Sequence, residues 1–460
     1  MAAATDRRAA LDRYRRHVNR SSAALVEMLG APLPERAEGN HLYDADGVRY
    51  LDCAGFGVNL IGHRHPVVID AVKRQLDASP LVSKPLISRV TADAAQALAG
   101  VAPAGLDHVY LTNSGAEAVE VALKLARLHG RTRIISMQDG FHGKTFGALS
   151  VTGRPAYRAP FEPLLPGVEF ARFGDIDDLT RRLATDAEHS CVLLEPILGE
   201  GGVHVPPSGY LAAVRELCTR TGAMLILDEI QTGLGRVGAW WAADIEKVVP
   251  DIMLSGKILS GGVVPVGAVL ATDEVFRPLD DDPMLHSSTF AGSPLAAAAV
   301  GAVLSVLQTE NLIARSADLG IELSGMVRGI LDEQCPGLVA EVRGRGLLIG
   351  MDFVSSDLAV EFLMELMARR VVPSYSLNKY NVLRLTPPAT LTAADVAELK
   401  EALTGAAHEV GRRRARTSRI PTVRPVAAAN SDLPAHPAVP ARPALPTPST
   451  HPAEEYPCAS

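Results

Sequence analysis

Between about residues 105 and 270, short apolar runs alternate with stretches of helical patterning. Six runs read as strands: His108–Thr112, Arg133–Met137, Cys191–Glu195, Met224–Asp228, Ile252–Ser255 and Val266–Ala271. They are β-branched or leucine-rich and apolar on both faces, as strands covered by helices on each side must be. The segments between them carry apolar residues at helical spacing, as Val119, Ala122, Leu123 and Ala126 do. Strand and helix signals in alternation predict βαβ units and an α/β fold with a large doubly wound, mostly parallel sheet.

The flanking regions follow other patterns. Residues 41–52 read as a hairpin turning at Asp46-Gly47. A long alanine-rich helix should follow Gly292. Residues 338–386 alternate short strands with one amphipathic helix, Ala359–Arg370, and a last helix spans about 393–410, opened by Thr392 with Asp395 three residues on. This predicts an N-terminal helix and hairpin over residues 1–60, counted with the smaller domain. A large domain follows over 61–304 and a small α+β domain over 305–411. From 412 the chain turns basic and then rich in proline and alanine, a composition that cannot bury a core and reads as a disordered tail, or less readily as a docking tail.

Composition narrows the function class. A net charge of -7 argues against a nucleic-acid binder. No run approaches the roughly 18 apolar residues needed to span a bilayer, and the N-terminus reads as a surface helix rather than a signal peptide. Five scattered cysteines form no CxxC pair, so no zinc site or disulfide framework is indicated and a reducing cytoplasm is expected.

Two residues carry the strongest chemical signal. Asp228 closes one apolar run, and Lys257 follows the next, in a chain with only eight lysines. An acid and an amine at neighbouring strand ends are what pyridoxal 5'-phosphate (PLP) requires. The lysine holds the cofactor aldehyde as a Schiff base, and the acid keeps the pyridine nitrogen protonated. The turn Asn113-Ser114-Gly115-Ala116, between a strand and a helix, offers free backbone N–H groups at a helix N-terminus, suited to a phosphate or to an ordinary serine cap. In Asp139-Gly140-Phe141-His142-Gly143, a phenylalanine among glycines can lie flat on a heterocycle, or serve as core.

Two motifs mislead. Gly233-Leu234-Gly235-Arg236-Val237-Gly238 matches GxGxxG, but four residues separate it from the strand and no strand-end acid follows about 20 residues later. Gly256-Lys257 resembles the end of a P-loop, but Ile258 replaces the required Ser or Thr.

In order along the chain, NSGAEA, GFHGKTFGALS, EPILGEGG, LILDEIQTGLGR, SGK, SSTFAGSPLAAAA and RLTPPATLT resemble the class III (ω-amine) aminotransferases of PLP fold type I, over about residues 30–410. The similarity is greatest to putrescine and other diamine aminotransferases, in GFHGKTFGALS, PFEPLLPG and GGVVPVGA. The resemblance implies roles. Lys257 would be the Schiff-base lysine and proton shuttle, Asp228 the acid on the pyridine nitrogen, and Gln231 the partner of the ring hydroxyl. Phe141 would stack on the ring with His142 beside it, and Ser114, Gly115 and Ala116 would hold the phosphate. Glu195 would support the cofactor from behind. Ser288 and Thr289 would reach the neighbouring subunit's phosphate, which implies a homodimer with shared sites. Arg384 would clamp the carboxylate of glutamate or 2-oxoglutarate, and Glu200 would neutralise that arginine when the other substrate lacks one. The implied reaction is ping-pong transamination between an ω-amine (putrescine, another diamine or an ornithine-like compound), or its carbonyl, and glutamate or 2-oxoglutarate, a reaction that could serve as a tailoring step in biosynthesis. No metal is expected. A PLP decarboxylase or aminomutase on the same fold stays open, as does, more remotely, a nicotinamide-dependent oxidoreductase. Gly256 stands where the family usually has alanine, AGSPL replaces GGNPL, and Ser374–Asn381 fits no assignable pattern.

Overall fold

The computed structural model describes residues 2–83 and 86–417. Strands β1 (Pro34–Glu38), β2 (His41–Asp44) and β3 (Arg49–Asp52) form an antiparallel meander. The β2–β3 turn lies at the expected Asp46-Gly47, where Gly47 takes φ +74°, a conformation that costs glycine nothing.

The central sheet contains β4 (His108–Thr112), β5 (Arg133–Met137), β6 (Val168–Ala171), β7 (Ser190–Leu194), β8 (Met224–Asp228), β9 (Ile252–Ser255) and β10 (Gly267–Ala271). Its order is β4-β10-β9-β8-β7-β5-β6. The five strands from β9 to β6 run parallel, and β10 is antiparallel to both of its neighbours. Six of the seven strands were expected within one residue at either end, and β6 was not. Every residue of β7, β8, β9 and β10 is buried. Alternate side chains enter separate cores: Leu225 and Met253 face one layer, and Ile226 and Leu254 the other. This two-sided cover explains their unbroken apolar sequence.

The C-terminal part adds β11 (Val339–Arg345), β12 (Leu348–Phe353), β13 (Val371–Val372), β14 (Ser374–Tyr375) and β15 (Val382–Leu385). Four of these form a sheet in the order β11-β12-β15-β14, which sets Ser374 opposite Arg384. β13 instead pairs in parallel with β3, so the sheet begun near the N-terminus is completed from the far end of the chain.

The last helix, Ala393–Thr417, opens with the expected box: the Asp395 amide donates to Thr392 Oγ1 at 3.2 Å, and the Thr392 amide donates to Asp395 Oδ2 at 2.8 Å. It does not stop near 410. Arg412, Arg413 and Arg414, expected to begin the tail, continue the helix because Glu409, Glu361 and Glu365 neutralise them. The proline- and alanine-rich stretch expected to be disordered lies outside the described residues. Among those residues, no single helix is long and apolar enough to cross a membrane.

Candidate active site

The C-terminal ends of β8 and β9 bring Asp228 and Lys257 to one cavity of about 230 Å³. The parallel register, with Asp228 opposite Leu254, places both at the same edge of the sheet, where ligands of open α/β sheets bind. Gly256 is fully extended, and Lys257 then turns into the left-handed region at φ +44°. A non-glycine residue there costs about 1 kcal/mol or more, so the surroundings must impose it. They do so through buried Ile258 and Leu259 and a 3.1 Å bond from Ser260 Oγ to the Lys257 carbonyl. Burial pushes the pKa of Lys257 below that of an ordinary lysine, opposed by the charges of Glu200, Asp228 and Glu195.

Asp228 is sealed from solvent. Its Oδ2 lies 2.7 Å from His142 Nδ1, and its Oδ1 accepts from the Ile230 amide at 3.1 Å. Glu195, at the end of β7, accepts from the Phe141 amide at 2.9 Å and the Gly199 amide at 3.0 Å. Burial raises its pKa to about 7. It thereby holds the glycine loop that presents Phe141 and His142 to the cavity.

At the opposite wall, Ser114 Oγ caps the helix Gly115–Leu128 by accepting from the Glu117 amide at 3.1 Å. Gly115 and Ala116 line the cavity at this helix N-terminus. Ile230 fits against Gly115: a Cβ there would come within 2.8 Å of its Cδ1.

Glu200 and Arg384 form a buried ion pair at 2.7 Å, with side chains 6% and 1% exposed. The Arg384 Nε and Nη1 have no protein partner. Ser288 and Thr289 do not line the Lys257 cavity. Ser288 Oγ accepts from Asn113 Nδ2 at 2.9 Å, and Thr289 lines a separate surface cavity with Thr91 and Ile87.

The sequence profile of the Aminotransferase class-III family matches residues 26–406. The chain belongs to this family. Class-III aminotransferases use PLP, and solved structures agree in fold. The ornithine aminotransferase from Toxoplasma gondii is 34% identical over 84% of this chain and 92% of that one, with a TM-score of 0.79. A thermostable (S)-enantioselective omega-transaminase from Thermomicrobium roseum is 29% identical over 84% of this chain and 95% of that one, at TM-score 0.78. An amine transaminase from an uncultivated Pseudomonas species, solved with PLP bound, is 29% identical over 82% and 95%, at TM-score 0.77.

The cavity fits the class-III cofactor on its own terms. It joins a helix N-terminus, an aromatic wall, a buried carboxylate and a half-buried lysine. Gln231 Nε2 is buried without a protein partner, a donor awaiting an acceptor. Gly199 leaves the space that Gln231 occupies, since a Cβ there would overlap its Oε1.

The GxGxxG segment has no part in this site. It runs through turns rather than from a strand into a helix. Gly233 abuts the Trp241 ring, Gly235 abuts Ile313, and Gly238 abuts Ala317. Arg236 within it is fully buried and donates to the carbonyls of Pro387 at 2.7 Å, Leu347 at 3.1 Å and Gly57 at 3.3 Å. The nicotinamide alternative therefore falls, because these glycines make room for packing rather than for a pyrophosphate.

Sequence reasoning passed over two contributors. Gly57 lies beside the cavity, where an added Cβ would be 3.7 Å from both Gln231 Nε2 and Lys257 Cδ. Its glycine-flanked aromatic, Gly55-Phe56-Gly57, repeats the pattern noticed around Phe141 and could have been found. Leu377 donates its amide to Glu200 Oε2 at 2.9 Å. Because the donor is backbone, no residue type announces it.

Proposed function

We propose that this aminotransferase moves an amino group between a primary ω-amine and glutamate or 2-oxoglutarate, with putrescine, another diamine or an ornithine-like compound as the amine. The observation that carries this reading is the buried Glu200–Arg384 pair. A guanidinium with two unpartnered donor nitrogens suits the carboxylate of an amino or oxo acid. A carboxylate already seated on it suits a substrate with no carboxylate at that end. One site can thus accept two unlike substrates in turn.

When bound, PLP supplies the electron sink that makes a proton on the amine-bearing carbon acidic. In our reading the Lys257 Nζ would hold the cofactor and then move that proton, an assignment supported by its place in the cavity beside Asp228 and by the burial that lowers its pKa. Asp228 would face the pyridine nitrogen, with one of its oxygens fixed by His142. Phe141 would cover the ring face, Gln231 would bond the ring hydroxyl, and the amides after Ser114 would hold the phosphate. Glu195 positions the Phe141 loop. We further propose a homodimer in which Ser288 and Thr289 serve the partner's phosphate. Ile87 and Phe290, 93% and 62% exposed, give that contact an apolar surface. The four described cysteines are free and buried, which suits a reducing compartment such as the cytoplasm.

A panel of amine donors and oxo-acid acceptors on the purified holoenzyme tests the reading. Glutamate should convert the cofactor to its amine form, seen in the visible spectrum, and 2-oxoglutarate should restore the aldehyde form. A diamine should do what glutamate does. Failure of 2-oxoglutarate to restore the aldehyde form, or of every ω-amine to react, would sink it.

A further inference from the structure

The segment Ser374–Asn381 crosses directly over Glu200. Its contacts with that residue are all backbone donors: the Leu377 amide reaches Glu200 Oε2 at 2.9 Å, and the Asn378 amide reaches the Glu200 carbonyl at 3.0 Å. The Glu200 carboxylate is therefore divided, with Oε1 on Arg384 and Oε2 on Leu377. On its other side the segment is tied to the cofactor wall. Asn378, only 2% exposed, donates Nδ2 to the Asp139 carbonyl at 2.7 Å. Its own carbonyl accepts from Arg154 Nη1, and the Leu377 carbonyl accepts from Tyr157 Oη at 2.8 Å. Lys379 pairs with the Asp139 carboxylate at 2.9 Å. Asp139 and Gly140 lead straight into Phe141.

We propose that Asn378 is a positioning residue that sets how firmly Glu200 stays on Arg384, and so sets the balance between the two substrates. This rests on the reading of Glu200 and Arg384 as a substrate switch. When a carboxylate takes Arg384, Glu200 must leave it. The closed arrangement is stabilised by the Leu377 amide as well as by the ion pair, and Asn378 and Tyr157 are among the contacts that hold that amide in place. The residue that chooses between substrates thus takes its stiffness from a loop that carries no catalytic group. A hydrogen bond between neutral groups corresponds to roughly a fivefold change in an equilibrium. Loosening the segment should shift the balance toward the open arrangement by about that factor.

The test is Asn378→Ala on the holoenzyme, with Tyr157→Phe as a second variant that removes the hydroxyl bond to Leu377 and keeps the ring. Glutarate, an unreactive dicarboxylate, is titrated by calorimetry, and the KM for putrescine is measured beside it. Both variants should bind glutarate about fivefold tighter while the KM for putrescine rises by a similar factor, with kcat little changed. These opposite signs are something general loosening would not produce, since it would weaken both ligands. Weakening of both, or no change in either, overturns the proposal. Arg384→Ala separates the two layers. If it weakens glutarate while the loop variants shift nothing, the switch stands and only the loop's role is lost. If it leaves glutarate binding unchanged, the switch reading fails and the proposal falls with it.

Discussion

Asp228 faces His142 across 2.7 Å, and neither side chain is more than 3% exposed. A carboxylate held in this way cannot turn toward water, so its charge stays aimed into the cavity. Asp228→Asn should therefore cut turnover by about 10²-fold or more, the usual scale for removing one preorganised electrostatic group. The cofactor should remain bound. His142→Asn leaves the charge and loosens only its direction, so a loss nearer tenfold is expected. Single-turnover absorbance with glutamate would measure both, and a larger loss in the His142 variant would reverse the assignment.

Glu200→Gln removes the charge that neutralises Arg384. A diamine must then approach an uncompensated buried guanidinium, and its KM should rise tenfold or more, about 1.4 kcal/mol. Glutamate, which on the proposed reading displaces Glu200 in any case, should lose little. Parallel steady-state series with the two donors decide this, and equal effects on both would count against the switch.

Glu229 gives a pH prediction away from the chemistry. It is buried, and burial raises its pKa from 4.5 to about 7. Between those values the folded protein keeps a proton that the unfolded chain has lost. Stability should therefore fall as pH rises from about 4.5 to 7, with a slope of up to about 1.4 kcal/mol per pH unit from this group, and level off above. Glu229→Gln removes that component. Urea midpoints at a series of pH values should show a flatter decline for the variant, and identical slopes would contradict the assignment.

Two glycines separate space from conformation. Gly256 is extended, a backbone open to any residue, and an added Cβ would meet Ile230 Cγ2 at 3.3 Å. Gly256→Ala should change stability by less than about 1 kcal/mol. At Gly199 a Cβ would displace the Gln231 amide from the cavity. Gly199→Ala should fold normally but release PLP more readily, by about tenfold in dissociation constant for one lost buried hydrogen bond. Dialysis followed by absorbance measures the difference.

Arg236→Met leaves three buried carbonyls, from Gly57, Leu347 and Pro387, without their donor. A loss of about 3 kcal/mol or more in unfolding free energy is expected. Chemical denaturation would show it, and an unchanged midpoint would mean that water or a neighbour replaces the guanidinium.

The sequence made most of the central sheet legible, because β7, β8, β9 and β10 are buried on both faces and leave unbroken apolar runs. That same two-sided burial hides direction: nothing in Gly267–Ala271 tells that β10 runs against its neighbours. β6 escaped notice because it is a short edge strand, half-buried along most of its length. Asp228 and Lys257 stood out by chemistry and position. Leu377 could not, since its contribution is an amide that any residue but proline would supply. Arg412–Arg414 read as the start of a tail because, although Glu409 lies within reach of Arg412 and Arg413, the Glu361 and Glu365 that also hold Arg413 and Arg414 lie some fifty residues back, beyond any local pattern.

The pairing of β13 with β3 has a consequence in time as well as in space. During synthesis the first meander emerges early and must wait, one edge bare, while the entire central sheet is made. Only then does the ribosome deliver Val371 and Val372 to close it against Leu51 and Asp52. A chain cut short before that point would keep an open strand edge, the feature through which nascent proteins adhere to one another. Completion of the fold is thus also the step that covers the bare edge of β3.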